Sequence, residues 1–218
     1  WFEGGDEGKF ITSTYYLDSL PNWVNEFNNS GIANNYLENT WKTYYPIETY
    51  TESIADDNNF EQAFNGKESP SFPYNLAELR KSNNNFDLLK AVAYGNDFTN
   101  DFAKKAIEAE NLGKSEFTDF ISISYSSTDY VGHQFGVDSK EIEDSYIRLD
   151  KNIENLIDFL DAKVGKENYT LVLTADHAAV QVPSYLQTIN IPGGYFNAQE
   201  FKAFVDQLIL ERFNASNL

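Results

Sequence analysis

Two short apolar runs in the second half of the chain flank a long stretch of helical periodicity. Residues 120–125 and 169–174 are rich in β-branched and aromatic side chains, which is typical of buried strands in an α/β sheet. Between them, apolar residues recur every three or four positions and predict one long helix: Ile142, Tyr146, Leu149, Ile153, Leu156 and Leu160. A strand, a helix and a second strand form a right-handed crossover, so we expect the two strands to be parallel.

The composition changes between the two halves of the chain. Residues 1–95 are rich in Asn, Tyr, Pro and Ser, and only a strand at residues 10–16 and a helix that opens at Pro21 are predicted there. We therefore predict an α/β fold in two parts. Residues 1–95 form an irregular, insertion-rich region of a catalytic domain, and residues 96–218 form its α/β core, with parallel strands and flanking helices.

The second half contains three predicted amphipathic helices. Residues 97–110 and 199–212 each combine an apolar stripe with charged positions. The long central helix is predicted to start at Asp138 as its N-cap. Its polar positions, Asp144 and Arg148 among them, are expected on a salt-bridged outer face.

Both histidines of the chain lie in short acidic motifs that follow the two predicted strands. Asp129 and His133 are four residues apart after the first strand, and Asp176 and His177 come directly after the second. The carboxyl ends of parallel strands meet at one edge of the sheet, where open α/β sheets bind ligands, so these four side chains are expected to converge. Two carboxylates and two imidazoles suit zinc, manganese or iron.

This ligand set leaves several interpretations open. The four groups can form one tetrahedral site, or they can supply half of a two-metal site with ions about 4 Å apart. Asp144 or Arg148 can support the metal ligands by interacting with them without binding the metal. The structural alternative is that Asp129 caps a loop and His177 is a satisfied polar residue at a strand end. The presence of both motifs after two strands predicted to be parallel favours a metal site over this structural alternative.

Composition and charge exclude several classes of function. The net charge is −18 with only 16 scattered basic residues, which argues against a nucleic-acid-binding surface. No apolar run reaches the roughly 20 residues of a membrane helix. The chain has no cysteine, which excludes disulfides and thiolate metal sites. A phosphate substrate is compatible with the acidic charge, because bound divalent cations reverse the local field.

Four segments resemble the alkaline phosphatase superfamily, in its nucleotide pyrophosphatase/phosphodiesterase-like branch. They are residues 9–24, 126–136, 139–150 and 173–177, and the likeness is greatest to the bacterial phosphate-irrepressible alkaline phosphatases. The resemblance implies an alkaline-phosphatase-like sandwich that binds two zinc ions.

The resemblance also assigns ligands to each of the two ions. Asp129 and His133 match ligands of the zinc that activates the attacking water. Asp176 and His177 match ligands of the zinc that binds the nucleophile. Ala178 stands where the family commonly has glycine, so the backbone beside His177 is expected to differ slightly.

Several parts of the family's machinery have no counterpart in these 218 residues. They are a further aspartate ligand, a threonine or serine nucleophile, a Lys/Arg pair for phosphate recognition and a last histidine. We therefore expect an interior fragment of a larger enzyme, whose partner is the rest of the parent polypeptide. This chain is then expected to contain no catalytic nucleophile and to be inactive by itself. We expect a periplasmic or secreted location, with the signal peptide outside these residues.

Three functions are compatible with these motifs. The first is metal-dependent hydrolysis of small phosphate esters by a phosphomonoesterase or phosphodiesterase. The second is sulfatase or phosphosugar mutase chemistry within the same superfamily, which depends on the nucleophile. The third is a non-catalytic domain with a structural metal site, which a parent without a hydroxyl nucleophile favours.

Overall fold

The computed structural model of the chain describes residues 1–214, and the polypeptide forms two compact units. The first unit is Trp1–Val180, and the second begins at Gln181. The first unit contains both candidate ligand motifs. The predicted division between residues 95 and 96 falls inside a helix of the first unit, and it stays a prediction.

Helices dominate the first unit, and its strands are only two residues long. The α-helices are α1 (Asn22–Asn28), α2 (Ile32–Leu37), α3 (Leu76–Leu79), α4 (Tyr94–Ala109), α5 (Ser127–Phe135) and α6 (Lys140–Lys163). Short 3-10 helices lie at Ile47–Thr49, Arg80–Ser82 and Asn85–Ala91. Strand β1 (Phe2–Glu3) pairs antiparallel with β2 (Lys9–Phe10), and β3 (Thr40–Trp41) pairs antiparallel with β4 (Tyr74–Asn75).

Aromatic side chains join the irregular first half of the chain to the helices of the second half. The Phe10 ring stacks on Phe102 of α4, with ring centroids 3.6 Å apart. Phe135 at the end of α5 packs edge-on against Trp41 and Tyr74, with centroid distances of 6.1 and 5.5 Å. Burying large rings removes much apolar surface from water and fixes their relative geometry. Helix α5 is therefore anchored on residues of the first half.

The long central helix is present as predicted, but its start and its core face differ from the prediction. The side chain of Ser139, rather than that of Asp138, caps α6 by accepting a hydrogen bond from the Ile142 backbone N–H at 3.1 Å. Ile142 and Leu156 are buried, as expected for the apolar stripe. Tyr146 is 59% exposed, so its assignment to the core was wrong.

Asp144 lies in the core instead of on the predicted outer face. Its carboxylate is fully buried and accepts hydrogen bonds from Trp41 Nε1 at 2.7 Å, Tyr50 Oη at 2.5 Å and Arg148 Nε at 2.7 Å. The Tyr44 backbone N–H donates to the same carboxylate at 2.6 Å. A buried charge is tolerated when it is paired and hydrogen-bonded, and these four donors meet that requirement. The predicted position was wrong because all donors but Arg148 come from distant parts of the sequence.

The two predicted buried strands are not formed within the described residues. Residues 120–125 and 169–174 carry no ladder hydrogen bonds there. Their apolar side chains are largely exposed, with Phe120 at 90% and Val172 at 82%. A strand exists only through bonds to a neighbouring strand, and the periodicity of one segment does not show whether that neighbour is present.

The described part of the second unit, residues 181–214, contains helices α7 (Pro183–Thr188) and α8 (Ala198–Phe213). Helix α8 matches the helix predicted at residues 199–212 to within one residue at each end. Asn197 caps it, because its side-chain oxygen accepts from the backbone N–H groups of Gln199 and Glu200 at 3.1 Å. Among the residues described, no helix has the length and apolar character needed to cross a membrane.

Candidate metal centre

Helix α5 carries the first candidate ligand pair on its exposed face. Val131 and Phe135 are buried and hold the helix against the core. Asp129 and His133 are separated by one helical turn on the other face, so their side chains meet. Asp129 Oδ2 lies 3.4 Å from His133 Nε2, and both side chains are at least half exposed. Gly136 ends the helix with a φ of 89°, a conformation that glycine adopts without strain.

The second pair lies in a loop of the first unit. Asp176 Oδ1 accepts a hydrogen bond from the His177 backbone N–H at 3.0 Å, and Asp176 Oδ2 lies 3.7 Å from His177 Nε2. His177 Nδ1 contacts the Ala178 carbonyl oxygen at 3.1 Å. A histidine whose Nδ1–H donates to a backbone carbonyl presents Nε2 as its free ligand atom.

The charges around His177 connect the two pairs. The pKa of His177 is raised above its ordinary value, first by the Ala178 carbonyl and then by the carboxylates of Asp176 and Asp129. The Asp129 carboxylate on α5 therefore acts electrostatically on the imidazole of the second pair. Across residues 1–214, however, no three His, Cys, Asp or Glu side chains are grouped closely enough to hold one metal ion. The arrangement is two separate pairs and not one four-ligand cluster.

Sequence reasoning missed the contacts that hold the beginning of α5. Asn96 and Asn100, one turn apart on the buried face of α4, bind Thr128 and Tyr125. Asparagine is a weak helix former, so two asparagines at this spacing in a helix are a sequence signal for a tertiary contact. That signal does not identify the partners, which are 25 and 32 residues away.

A group of buried and half-buried carboxyl side chains lies where residues 51–73 cross the start of α6. Glu141 is fully buried, and its Oε1 accepts from the Tyr74 hydroxyl at 2.6 Å. Burial raises the pKa of Glu141 to about 9 and that of neighbouring Glu61 to about 8. The Glu61 and Glu141 carboxyl groups also interact with each other, and the nearby Asp56 Oδ1 is buried without a hydrogen-bond partner among the described residues. Burial therefore favours the protonated form of Glu141 at neutral pH.

The comparisons with known proteins agree with the family indicated by the sequence. The family model for type I phosphodiesterase / nucleotide pyrophosphatase matches residues 1–206. A protein of Myroides odoratus named calcium-transporting ATPase is 44% identical over 220 residues, which cover 100% of this chain and 40% of that protein. Alkaline phosphatase PhoV of Synechococcus elongatus is 48% identical over 206 residues, which cover 94% of this chain and 37% of that protein.

One relative also has a solved structure. Alkaline phosphatase PafA of Elizabethkingia meningoseptica is 39% identical over 219 residues, which cover 100% of this chain and 39% of that protein. The crystal structure of wild-type PafA matches this chain with a TM-score of 0.86, covering 100% of this chain and 41% of that one. The chain thus shares the mixed α/β fold of PafA and spans about 40% of the length of these relatives. It belongs to the type I phosphodiesterase / nucleotide pyrophosphatase family, within the alkaline phosphatase superfamily.

Proposed function

We propose that the whole protein hydrolyses small phosphate esters, as a phosphomonoesterase or phosphodiesterase, with two zinc ions. In this proposal Asp129 and His133 hold one ion, and Asp176 and His177 hold the other. The observation that carries it is the presence of two exposed Asp-His pairs in one compact unit. Relatives named alkaline phosphatases support the choice of reaction.

The donor chemistry of the four residues fits zinc. Carboxylate oxygen and imidazole nitrogen are ordinary zinc ligands, and each pair already places one of each within 4 Å. When bound, zinc supplies Lewis acidity, which polarises a phosphoryl oxygen and lowers the pKa of water. Two protein ligands for each ion leave coordination positions that other groups must fill.

The backbone of this chain orients the ligands. Helix α5 fixes the Asp129 and His133 backbones on a rigid element, and the Ala178 carbonyl holds the His177 ring through Nδ1. The chain has a net charge of −18, so the protein's own field repels a phosphoryl anion. Substrate binding at these residues therefore depends on the divalent cations that they hold.

We further propose that residues 120–125 and 169–174 are strands of an alkaline-phosphatase-like sandwich in the whole protein. The likeness to PafA supports this proposal, and so does the exposure of apolar side chains such as Phe120 and Val172, which a sheet would bury. A periplasmic or secreted location stays a prediction.

Zinc titration of the chain tests the ligand assignment. We expect isothermal titration calorimetry at pH 7.5 to show weak zinc binding, and binding should weaken at pH 6 because protons compete for the imidazoles. Asp129→Ala and Asp176→Ala should each remove part of the binding. Asp158→Ala, which changes a carboxylate on α6 outside both motifs, is the matched control. Equal zinc binding by all four proteins would contradict the assignment.

We also propose that this chain alone does not turn over phosphate esters. Removing single groups that stabilise charge in a transition state already lowers rates on the order of a hundredfold to a thousandfold. Thr12, Thr14 and Thr174 are the hydroxyls expected near strand ends, and we assign them structural roles; Thr174 Oγ1 contacts the Ala175 carbonyl oxygen at 3.2 Å.

The activity assay uses a chromogenic aryl phosphate and the matching diester, with zinc added. We expect no turnover above background from either the chain or its Asp176→Ala variant. Turnover by the chain that disappears in Asp176→Ala would show that a complete catalytic set lies within these residues.

A further inference from the structure

We propose that Asn96 and Asn100 of α4 are positioning residues, which set the first turn of α5 and thereby the direction of the Asp129 carboxylate. This inference rests on the proposed function, because it gives α4 a part in holding the metal ligand. Neither asparagine lies in the ligand motifs, and both are almost completely buried, at 0% and 2% exposure.

The first turn of α5 lacks a cap of its own. Ser126 precedes the helix in right-handed helical conformation, and its side chain makes no capping hydrogen bond. The opening N–H groups of a helix are usually held by such a cap, which also fixes where the chain enters the helix. Asp129 lies within this turn, and its backbone N–H donates to the Ser126 carbonyl at 3.1 Å. Local structure therefore leaves the placement of this turn to tertiary contacts.

Helix α4 makes these contacts at two positions, one in the first turn of α5 and one just before it. Asn96 Nδ2 donates to Thr128 Oγ1 at 3.0 Å, directly beside Asp129 in the sequence. The Tyr125 hydroxyl donates to Asn100 Oδ1 at 2.8 Å, just before the helix starts. Asn100 Nδ2 also donates to Asn155 Oδ1 at 3.3 Å, which ties the contact to α6. Hydrogen bonds in a buried setting of this kind define one geometry, because an unpaired partner is unfavourable there.

A close approach of the two backbones adds a third contact. A Cβ atom on Gly95 would lie 2.0 Å from Ser127 Oγ and 2.4 Å from the Leu89 carbonyl oxygen. Only glycine lets α4 approach the start of α5 so closely. Three of the four residues that precede Asp129, namely Tyr125, Ser127 and Thr128, are thus in contact with one helix.

The consequence for metal binding follows from the tolerance of metal sites. Ligand distances hold within about 0.2 Å of their ordinary values. Releasing Thr128 frees the first turn to shift by more than this, and the carboxylate moves with it. Groups that support metal ligands typically change metal affinity by about 10–100-fold when they are removed. Asn96 acts through Thr128 and not on the carboxylate itself. We therefore expect its removal to change zinc affinity by the lower end of that range.

The test compares isosteric and conservative changes at Thr128. Thr128→Val keeps the shape of the side chain and removes the hydroxyl, whereas Thr128→Ser keeps the hydroxyl. Zinc affinity is measured by calorimetry on the full chain, well below the unfolding temperature of every variant. We expect about tenfold weaker binding for Thr128→Val and for Asn96→Ala. Thr128→Ser should stay within about twofold of the unchanged chain. The Asn96→Ala/Thr128→Val double variant should lose no more than the worse single one, because both changes remove the same contact.

A control separates positioning from general stability. Leu76→Ala removes a fully buried side chain of α3, outside these contacts, so its Tm should fall while the zinc affinity of the folded protein stays unchanged. Should Thr128→Val lower Tm but leave zinc affinity within twofold, the positioning role is wrong. If the unchanged chain binds zinc no better than Asp129→Ala, the proposed ligand set fails instead, and the positioning role fails with it.

Discussion

The buried carboxyl group of Glu141 makes the stability of this protein dependent on pH in an unusual direction. In the unfolded chain a glutamic acid loses its proton near its ordinary pKa, about 4.3. In the folded chain, burial raises the pKa of Glu141 to about 9. Between these values the folded state holds a proton that the unfolded state has released. Rising pH therefore favours unfolding across this window, whereas below it Glu141 has no effect on the pH dependence of stability.

The size of the effect follows from linkage. One group whose proton is retained only in the folded state lowers the free energy of unfolding by about 1.4 kcal/mol for each pH unit. From pH 6 to pH 8, Glu141 alone removes about 2.7 kcal/mol. Glutamine at this position cannot ionise, can still accept from the Tyr74 hydroxyl, and offers an amide donor to Glu61. We therefore expect the free energy of unfolding of Glu141→Gln to fall less steeply with pH, by about 1.4 kcal/mol per unit.

Urea unfolding followed by tryptophan fluorescence at pH 6, 7 and 8 measures this difference. Glu154→Gln is the control, because Glu154 is an exposed residue of the same helix. It makes the same glutamate-to-glutamine change at an exposed site and should leave the pH dependence of the unchanged chain intact. Curves for Glu141→Gln and the unchanged chain that run parallel within about 0.5 kcal/mol from pH 6 to pH 8 would refute the reasoning, because they would mean that Glu141 is already ionised in the folded protein.

Two further predictions concern the hydrogen bonds of α6. Asp144→Ala should lower the free energy of unfolding by about 3–5 kcal/mol, because it leaves the largely buried Arg148 guanidinium without its carboxylate; a loss below about 1 kcal/mol in urea unfolding would contradict this. Ser139→Ala should lower it by about 1 kcal/mol through loss of the N-cap, and Ser139→Thr should retain most of the stability. Equal losses of stability for Ser139→Thr and Ser139→Ala would exclude the cap as the cause.

The helices could be predicted from the sequence because their signal is local. The spacing of apolar residues locates α4, α6 and α8 to within a few positions of their ends. Helix α5 was missed, although Val131 and Phe135 stand one turn apart, because residues 129–133 were treated only as a ligand motif that follows a predicted strand. A helix of nine residues offers too few turns for its periodicity to be distinctive.

Burial and strand formation were less predictable, because they depend on partners far along the chain. The sequence around Asp144 has the composition of a solvated helix face. Its place in the core depends on donors such as Trp41 and Tyr50, which lie far away in the sequence. In the same way, an apolar run becomes a strand only beside another strand. For the candidate centre, the four ligand residues were identifiable from motifs, whereas the Asn96 and Asn100 contacts that hold α5 required the fold.

The hydrogen bonds that Asp144 accepts from Trp41 and Tyr50 connect residues 103 and 94 positions apart. Bringing such distant residues together lowers the conformational entropy of the chain before the contact can stabilise it. The contacts around Asp144 are therefore expected to form late and slowly during folding. The same bonds mean that the two halves of the first unit cannot be separated. Residues 96–218 expressed without the first half would expose Asp144 and Arg148, which are fully and largely buried, respectively, in the complete first unit. They would also expose the apolar faces of α5 and α6 to solvent. Such a piece is expected to aggregate, because the first half covers the inner face of the helix that bears Asp129 and His133.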